Sequence, residues 1–153
     1  MNFQTLFMES KGQPIIYQGK ELKMVDRINL PSSKISLKVS FVSTDSKWKQ
    51  GIVFQTKGEF EINDQKLSTK IILWEDTAPK ELHMLIKSKD KVLITYNVWE
   101  TEDGTTHYWH NGGAMYVVED NGIRTYNCND GYADDDLNDL IFTIQYPALR
   151  SLP

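Results

Sequence analysis

Ile35-Ser36-Leu37-Lys38-Val39-Ser40-Phe41 places an apolar side chain at every odd position and a polar one at every even position. A period of two suits a strand with one buried and one wet face, whereas a helix repeats at 3.6. The pattern recurs. Val92, Ile94, Tyr96 and Val98 alternate with Leu93, Thr95, Asn97 and Trp99, and Leu140, Phe142, Ile144 and Tyr146 with Ile141, Thr143 and Gln145. Shorter strands are predicted at 14–18, 22–28, 51–56, 59–62, 67–74, 81–87, 105–110, 114–119 and 122–128, and no window carries a helical stripe longer than two turns.

The punctuation between these runs agrees. Asp103-Gly104, Asn111-Gly112 and Asn121-Gly122 lie between β-like segments, and such pairs suit two-residue type I′ hairpins, whose central residues both need positive φ. Lys57-Gly58 and Lys89-Asp90 mark weaker turns. Short strands at regular spacing without intervening helices predict an all-β antiparallel sandwich of jelly-roll or Greek-key type, with a closed barrel as the alternative that alternation cannot separate. The 153 residues suffice for one domain, 1–153, with a core of its own.

Charge is unevenly placed. The formal net charge is −4, yet residues 1–98 carry 15 basic and 11 acidic side chains, whereas 99–153 carry 2 and 10. An acidic total without a basic stripe argues against nucleic acid as a partner. The apolar runs, such as Ile71-Ile72-Leu73-Trp74, fall far below the roughly 20 residues of a spanning helix, so no membrane partner is expected. Residues 1–9 lack the basic start and apolar stretch of a secretory signal, which makes a cytoplasmic location the default expectation without excluding an extracellular role. The single cysteine, Cys128, leaves no internal disulfide framework.

The most unusual stretch is Asn127-Cys128-Asn129-Asp130-Gly131-Tyr132-Ala133-Asp134-Asp135-Asp136-Leu137-Asn138-Asp139, with five carboxylates and three side-chain amides in 13 residues. Adjacent aspartates repel by roughly 1 kcal/mol per solvated pair. A hard cation relieves that repulsion, since Ca²⁺ takes six to eight oxygens from carboxylates, amides and backbone carbonyls. The spacing is not that of an EF-hand, which needs a glycine at the sixth position and a glutamate at the twelfth. The candidate metal ligands are Asp130, Asp134, Asp135, Asp136, Asn138 and Asp139. A solvated acidic turn, or neutralisation by lysines, accounts for the same composition without a metal.

Asp134-Asp135-Asp136-Leu137-Asn138-Asp139-Leu140-Ile141-Phe142 resembles the Asp-x-Asp-Phe-Asn-Asp-Leu-Val-Phe signature of bacterial β-sandwich modules regarded as calcium-binding parts of secreted or surface proteins. The resemblance covers residues 134–142. It implies that Asp134, Asp136, Asn138 and Asp139 occupy ligand-type positions. Leu137, where phenylalanine is usual, would be the apolar anchor that holds the loop to the core.

Other constellations are weaker. His107 and His110 point to opposite faces of an extended strand, and His83 and Cys128 are scattered, so a zinc site is disfavoured. No local signature surrounds Cys128 to mark a nucleophile. Trp109, His110 and Tyr132 are candidates for ligand contacts, because an exposed ring beside a cation can stack on a sugar face. If 81–87, 91–99, 105–110, 114–119 and 122–128 form a meander, Lys87, Lys89 and Lys91 share an end with the acidic loop. If 105–110 is not a strand, Glu75, Asp76, Glu100 and Asp103 share it instead. The hairpin signal at Asn111-Gly112 favours the first arrangement. The expected function is non-catalytic recognition of a glycan or protein through a Ca²⁺-dependent loop. A metal-free structural or interaction domain is the alternative, and a hydrolase using the acidic loop a third.

Overall fold

The computed structural model describes residues 3–108, 113–130 and 137–147. After a short helix, α1 (Phe3–Glu9), come twelve strands: β1 (Ile15–Tyr17), β2 (Lys20–Lys23), β3 (Asp26–Asn29), β4 (Lys34–Thr44), β5 (Lys49–Ile62) and β6 (Gln65–Leu67), then β7 (Lys70–Trp74), β8 (Glu81–Glu100), β9 (Thr106–His107), β10 (Ala114–Asp120), β11 (Ile123–Asn129) and β12 (Leu140–Gln145). They form one antiparallel sheet in the order β1-β2-β10-β11-β12-β4-β8-β5-β6, with β3 and β9 added to β8 and β7 to β5. The fold is all-β, and the sheet does not close into a barrel.

The sheet folds over on itself. Tyr126 of β11 donates its hydroxyl to Asp26 of β3 at 2.6 Å, and the Asn97 amide of β8 reaches the Asn129 carbonyl of β11 at 2.8 Å. Neither pair belongs to adjacent strands, so two layers face each other and the core lies between them. The alternation 35–41 delivers that core: Leu37 and Val39 are fully buried and Ile35 and Phe41 nearly so, against Ile52, Phe54, Met84, Leu93 and Phe142.

Two predicted strand pairs prove to be single long strands. Segments 81–87 and 91–99 join as β8, of 20 residues, and 51–56 and 59–62 join as β5, of 14. The two weak turn signals, Lys57-Gly58 and Lys89-Asp90, lie across from one another, and the β5–β8 register shifts between Thr56 and Gly58. Instead of reversing the chain, they bend both strands together, as a bulge does. Lys91 sits at φ +59°, Asp90 accepts the Val92 N–H at 3.1 Å, and buried Ser88 bonds Thr56 at 2.7 Å. The first half of β8 then pairs with β4 and the second with β3 and β9.

The predicted strand 22–28 divides at Met24-Val25, because β2 pairs with β10 and β3 with β8. Among the described residues of segment 105–110, Thr106–His107 join the ladder, and β10 pairs with β2 and β11 rather than β9, so the meander does not form. At Asn121-Gly122 both residues have positive φ, as a type I′ turn requires; Gln18-Gly19 and Asn63-Asp64 make unforeseen turns of the same hand. Asn111-Gly112 lies outside the described residues. Phe3 and Phe7 of α1, one helical turn apart, close a satellite core with Leu22, Ala114 and Leu137.

A Cβ at Gly58 would run into the carbonyl oxygen of Lys87, a backbone atom that cannot move without breaking the ladder. Gly58→Ala is therefore expected to lower unfolding stability by about 1–3 kcal/mol, read from urea midpoints, with Lys57→Ala as the neutral control.

Candidate functional site

The acidic loop leaves the sheet at the end of β11 and returns at the start of β12, where Cys128 faces Leu140. Both stems are tied inward. Asp130 is completely buried, and its Oδ2 accepts from the Ser46 hydroxyl and, at 2.9 Å, from Gln50 Nε2. Asp139 is 1% exposed, and its Oδ2 accepts the Asp130 backbone N–H at 2.9 Å. Asn129, also buried, accepts the Leu137 N–H at 2.9 Å through its side-chain oxygen. Leu137 adopts φ +57° and is buried beside Phe3 and Phe7, so an apolar side chain at that position does anchor the loop to a core.

Of the six candidate metal ligands, the structure brings Asp130 and Asp139 together at the loop stems, with Asn138 half-buried beside them. Asp134, Asp135 and Asp136 lie outside the described residues, as do the ligand candidates Trp109, His110 and Tyr132. Among the described residues no three His, Cys, Asp or Glu side chains group as a metal centre. Gln50, which the sequence did not single out, joins the site from β5. Its Nε2 donates to Asp130 and to the Trp48 carbonyl at 3.1 Å, which fixes the amide orientation and leaves Oε1 buried without a partner. The buried Asn129 Nδ2 is unpartnered as well.

The lysine arrangement expected around the loop is not found. Lys87 pairs with Lys34 at the start of β4, whereas Leu140, just past the loop, pairs with Thr44 at its end. Lys87, Lys89 and Lys91 lie within the bent β8. The residues gathered at the loop end are instead Glu75, whose N–H reaches the Gln50 carbonyl at 2.9 Å, Asp76, and Glu100, which pairs with Lys49. The reason is the merging of 81–87 with 91–99 into one bent strand, which leaves these lysines in mid-strand and sets Glu100 opposite Lys49, close to where Trp74 pairs with Gly51. Burial, then the negative Asp139, pushes the Cys128 thiol well above its ordinary value, so it is no nucleophile at neutral pH. His107 stacks on Trp99 at 6.3 Å, with Nε2 3.2 Å from the Thr101 hydroxyl.

A second polar cluster lies toward the other end of β11, where sequence reasoning placed nothing. Asp26, 1% exposed, accepts from Arg124 Nη2 at 2.7 Å, from the Tyr126 hydroxyl at 2.6 Å and from Lys23 at 3.2 Å. It walls an open cleft of about 980 Å³ between β3, the Asn121-Gly122 turn and the end of β12. The available signal was phase: Asp26 falls on the apolar positions of 22–28, in step with Leu22 and Ile28, and an inward carboxylate needs partners.

Burial alone would raise the Asp26 pKa, but the bonds from Tyr126 and Arg124 and the charges of Arg124 and Lys23 outweigh it and hold it below the ordinary 3.8. A depressed folded-state pKa means that this stabilisation is complete above the unfolded value and is lost as pH falls below 3.8 through the folded one. Asp26→Asn is expected to cost about 3–5 kcal/mol at neutral pH, because Arg124 keeps its charge without its main partner. Urea midpoints between about pH 2 and 7 should show a flatter acid limb in the variant than in the wild type. At the loop, Leu137→Ala should cost about 2–4 kcal/mol by the same measurement, through the emptied satellite core.

Comparison with protein-family models, with curated proteins and with solved structures found no significant match.

Proposed function

We propose that the chain is a non-catalytic recognition domain whose acidic loop, 130–139, binds Ca²⁺, the ion holding the loop in shape for a glycan or protein ligand. The observation that carries the proposal is the buried, unpartnered Oε1 of Gln50, on the same amide that touches the buried carboxylate of Asp130. A buried oxygen without a donor is costly, and a cation or its bound water satisfies it. Asp130 and Asp139 supply two carboxylates on opposite stems of the loop, and Asp134, Asp135 and Asp136 lie between them in the chain. The signature-like run 134–142 is consistent with that ligand set. Catalysis is not part of the proposal: Asp130 is tied to Ser46 and Gln50, and the Cys128 thiol is held protonated.

The second reading, a metal-free interaction domain, is favoured by those same bonds from Ser46 and Gln50, which offset burial of Asp130 with neutral donors. A calcium titration decides between them. A ligand that binds only the native state stabilises it by about 2.7 kcal/mol at a hundred times Kd, an expected rise in Tm of about 5–10 °C for a chain of this size. The Asp134→Asn, Asp136→Asn double variant should fold and lose the rise. Gln50→Met should reduce it by removing the amide oxygen. An unchanged midpoint at millimolar Ca²⁺ in the wild type would overturn the proposal in favour of the metal-free domain.

A further inference from the structure

We propose that the free edge of β3 docks an extended acidic peptide segment of a protein partner, which lies in the cleft between the two layers. The proposal rests on reading the chain as a recognition domain but not on the cation, which belongs to the other end of β11.

The backbone of β3 carries it. Leu30 N–H donates to the Lys91 carbonyl at 2.8 Å, and the register pairs Asn29 with Val92, Ile28 with Leu93 and Arg27 with Ile94. Antiparallel ladders alternate hydrogen-bonded and open pairs, so Ile28 and Asp26 turn their backbone groups toward β8. The N–H and C=O of Arg27 and Asn29 therefore point the other way. Among the described residues β3 pairs with no strand but β8, which leaves this edge open. All four residues of β3 line the 980 Å³ cleft, with Gln145, Tyr146 and Pro147 among its other lining residues. An added strand needs a lateral spacing of about 4.8 Å, and main-chain bonds along such an edge supply affinity while pockets read alternate side chains.

Charge selects the partner. Lys23, Arg27 and Arg124 line the cleft against Asp26 and Glu119, one positive charge in excess within a chain of net −4. Asp26 is engaged by Arg124 and Lys23, and Glu119 by Arg124 at 3.4 Å. Arg27, exposed on the open edge, has no acidic partner among the described residues. An acidic side chain beside it is attracted, and an alternate apolar one has Pro31, Ile35 and Tyr146 to pack on.

The test is selection of a phage-displayed random peptide library on the full chain, with a glycan panel read in parallel. Acidic, extended peptides should be enriched. The backbone amides of Arg27 and Asn29 should exchange quickly in the free protein and slow on addition of a selected peptide. Asn29→Pro lacks only an N–H that faces away from β8, so it should keep the fold by circular dichroism and weaken binding about tenfold or more. Arg27→Glu, which folds whether or not the proline is tolerated, should lose the preference for acidic sequences. Peptides that bind the wild type and both variants alike, or amides already protected in the free protein, overturn the docking edge while leaving recognition intact. Glycan binding without peptide enrichment overturns the peptide alone, and silence in both assays overturns the recognition reading with it.

Discussion

The pairing of β5 with β8 carries the domain. It runs from Lys49 opposite Glu100 to Glu61 opposite Leu85, and every other strand attaches directly or through neighbours to one of these two. A 20-residue strand would extend roughly 65 Å if straight, far more than one layer of a domain this size can use. The shared bend at Gly58 and Ser88 resolves that conflict. It lets one strand serve β4 in its first half and β3 in its second, so that two layers arise from a continuous ladder. Glycine is needed because the backbones approach too closely there for any Cβ.

Folding one sheet over itself brings polar groups into the interior from both layers, and the two ends deal with them differently. At the Asp26 end a carboxylate meets a guanidinium, an ammonium and a phenol, so charge is balanced by charge. At the loop end the bonds among the described residues include neutral donors, Ser46 and Gln50 to Asp130 and a backbone N–H to Asp139, and an amide oxygen and an amide nitrogen are buried without partners. A satisfied buried network stiffens its surroundings, whereas an incompletely satisfied one invites a bound ion or water. On that asymmetry rests the proposal of a cation at the loop end, whereas the Asp26 network forms a wall of the cleft.

Much of the fold was legible. Ile35–Phe41 and Leu140–Tyr146 alternate in phase with burial, and Asn121-Gly122 makes the turn its residue types demand. The two merged strand pairs share one origin. Lys57-Gly58 and Lys89-Asp90 have turn composition, but composition does not distinguish a reversal from a bulge, which depends on what lies across the ladder. That ambiguity moved the lysines away from the acidic loop, while the meander is lost because β10 pairs with β2 and β11 rather than β9. At the loop, carboxylate density was visible in the chain, while the contribution of Gln50, 80 residues from Asp130, was not.

The sequence by itself determined which side chains of β4 and β12 face inward, because strand geometry alternates them, and it concentrated the acidic residues in one loop. In β8 the alternation at 92–99 did not decide the matter, since Leu93 and Thr95 are buried where Val92 and Ile94 are half-buried, and both faces are covered from Thr95 to Trp99. Only the tertiary structure decided where β5 and β8 bend, which strand edges stay open and which distant groups meet Asp26 and Asp130. Those outcomes follow from contacts between segments far apart in the chain, and the physical preferences of any one segment leave them undetermined.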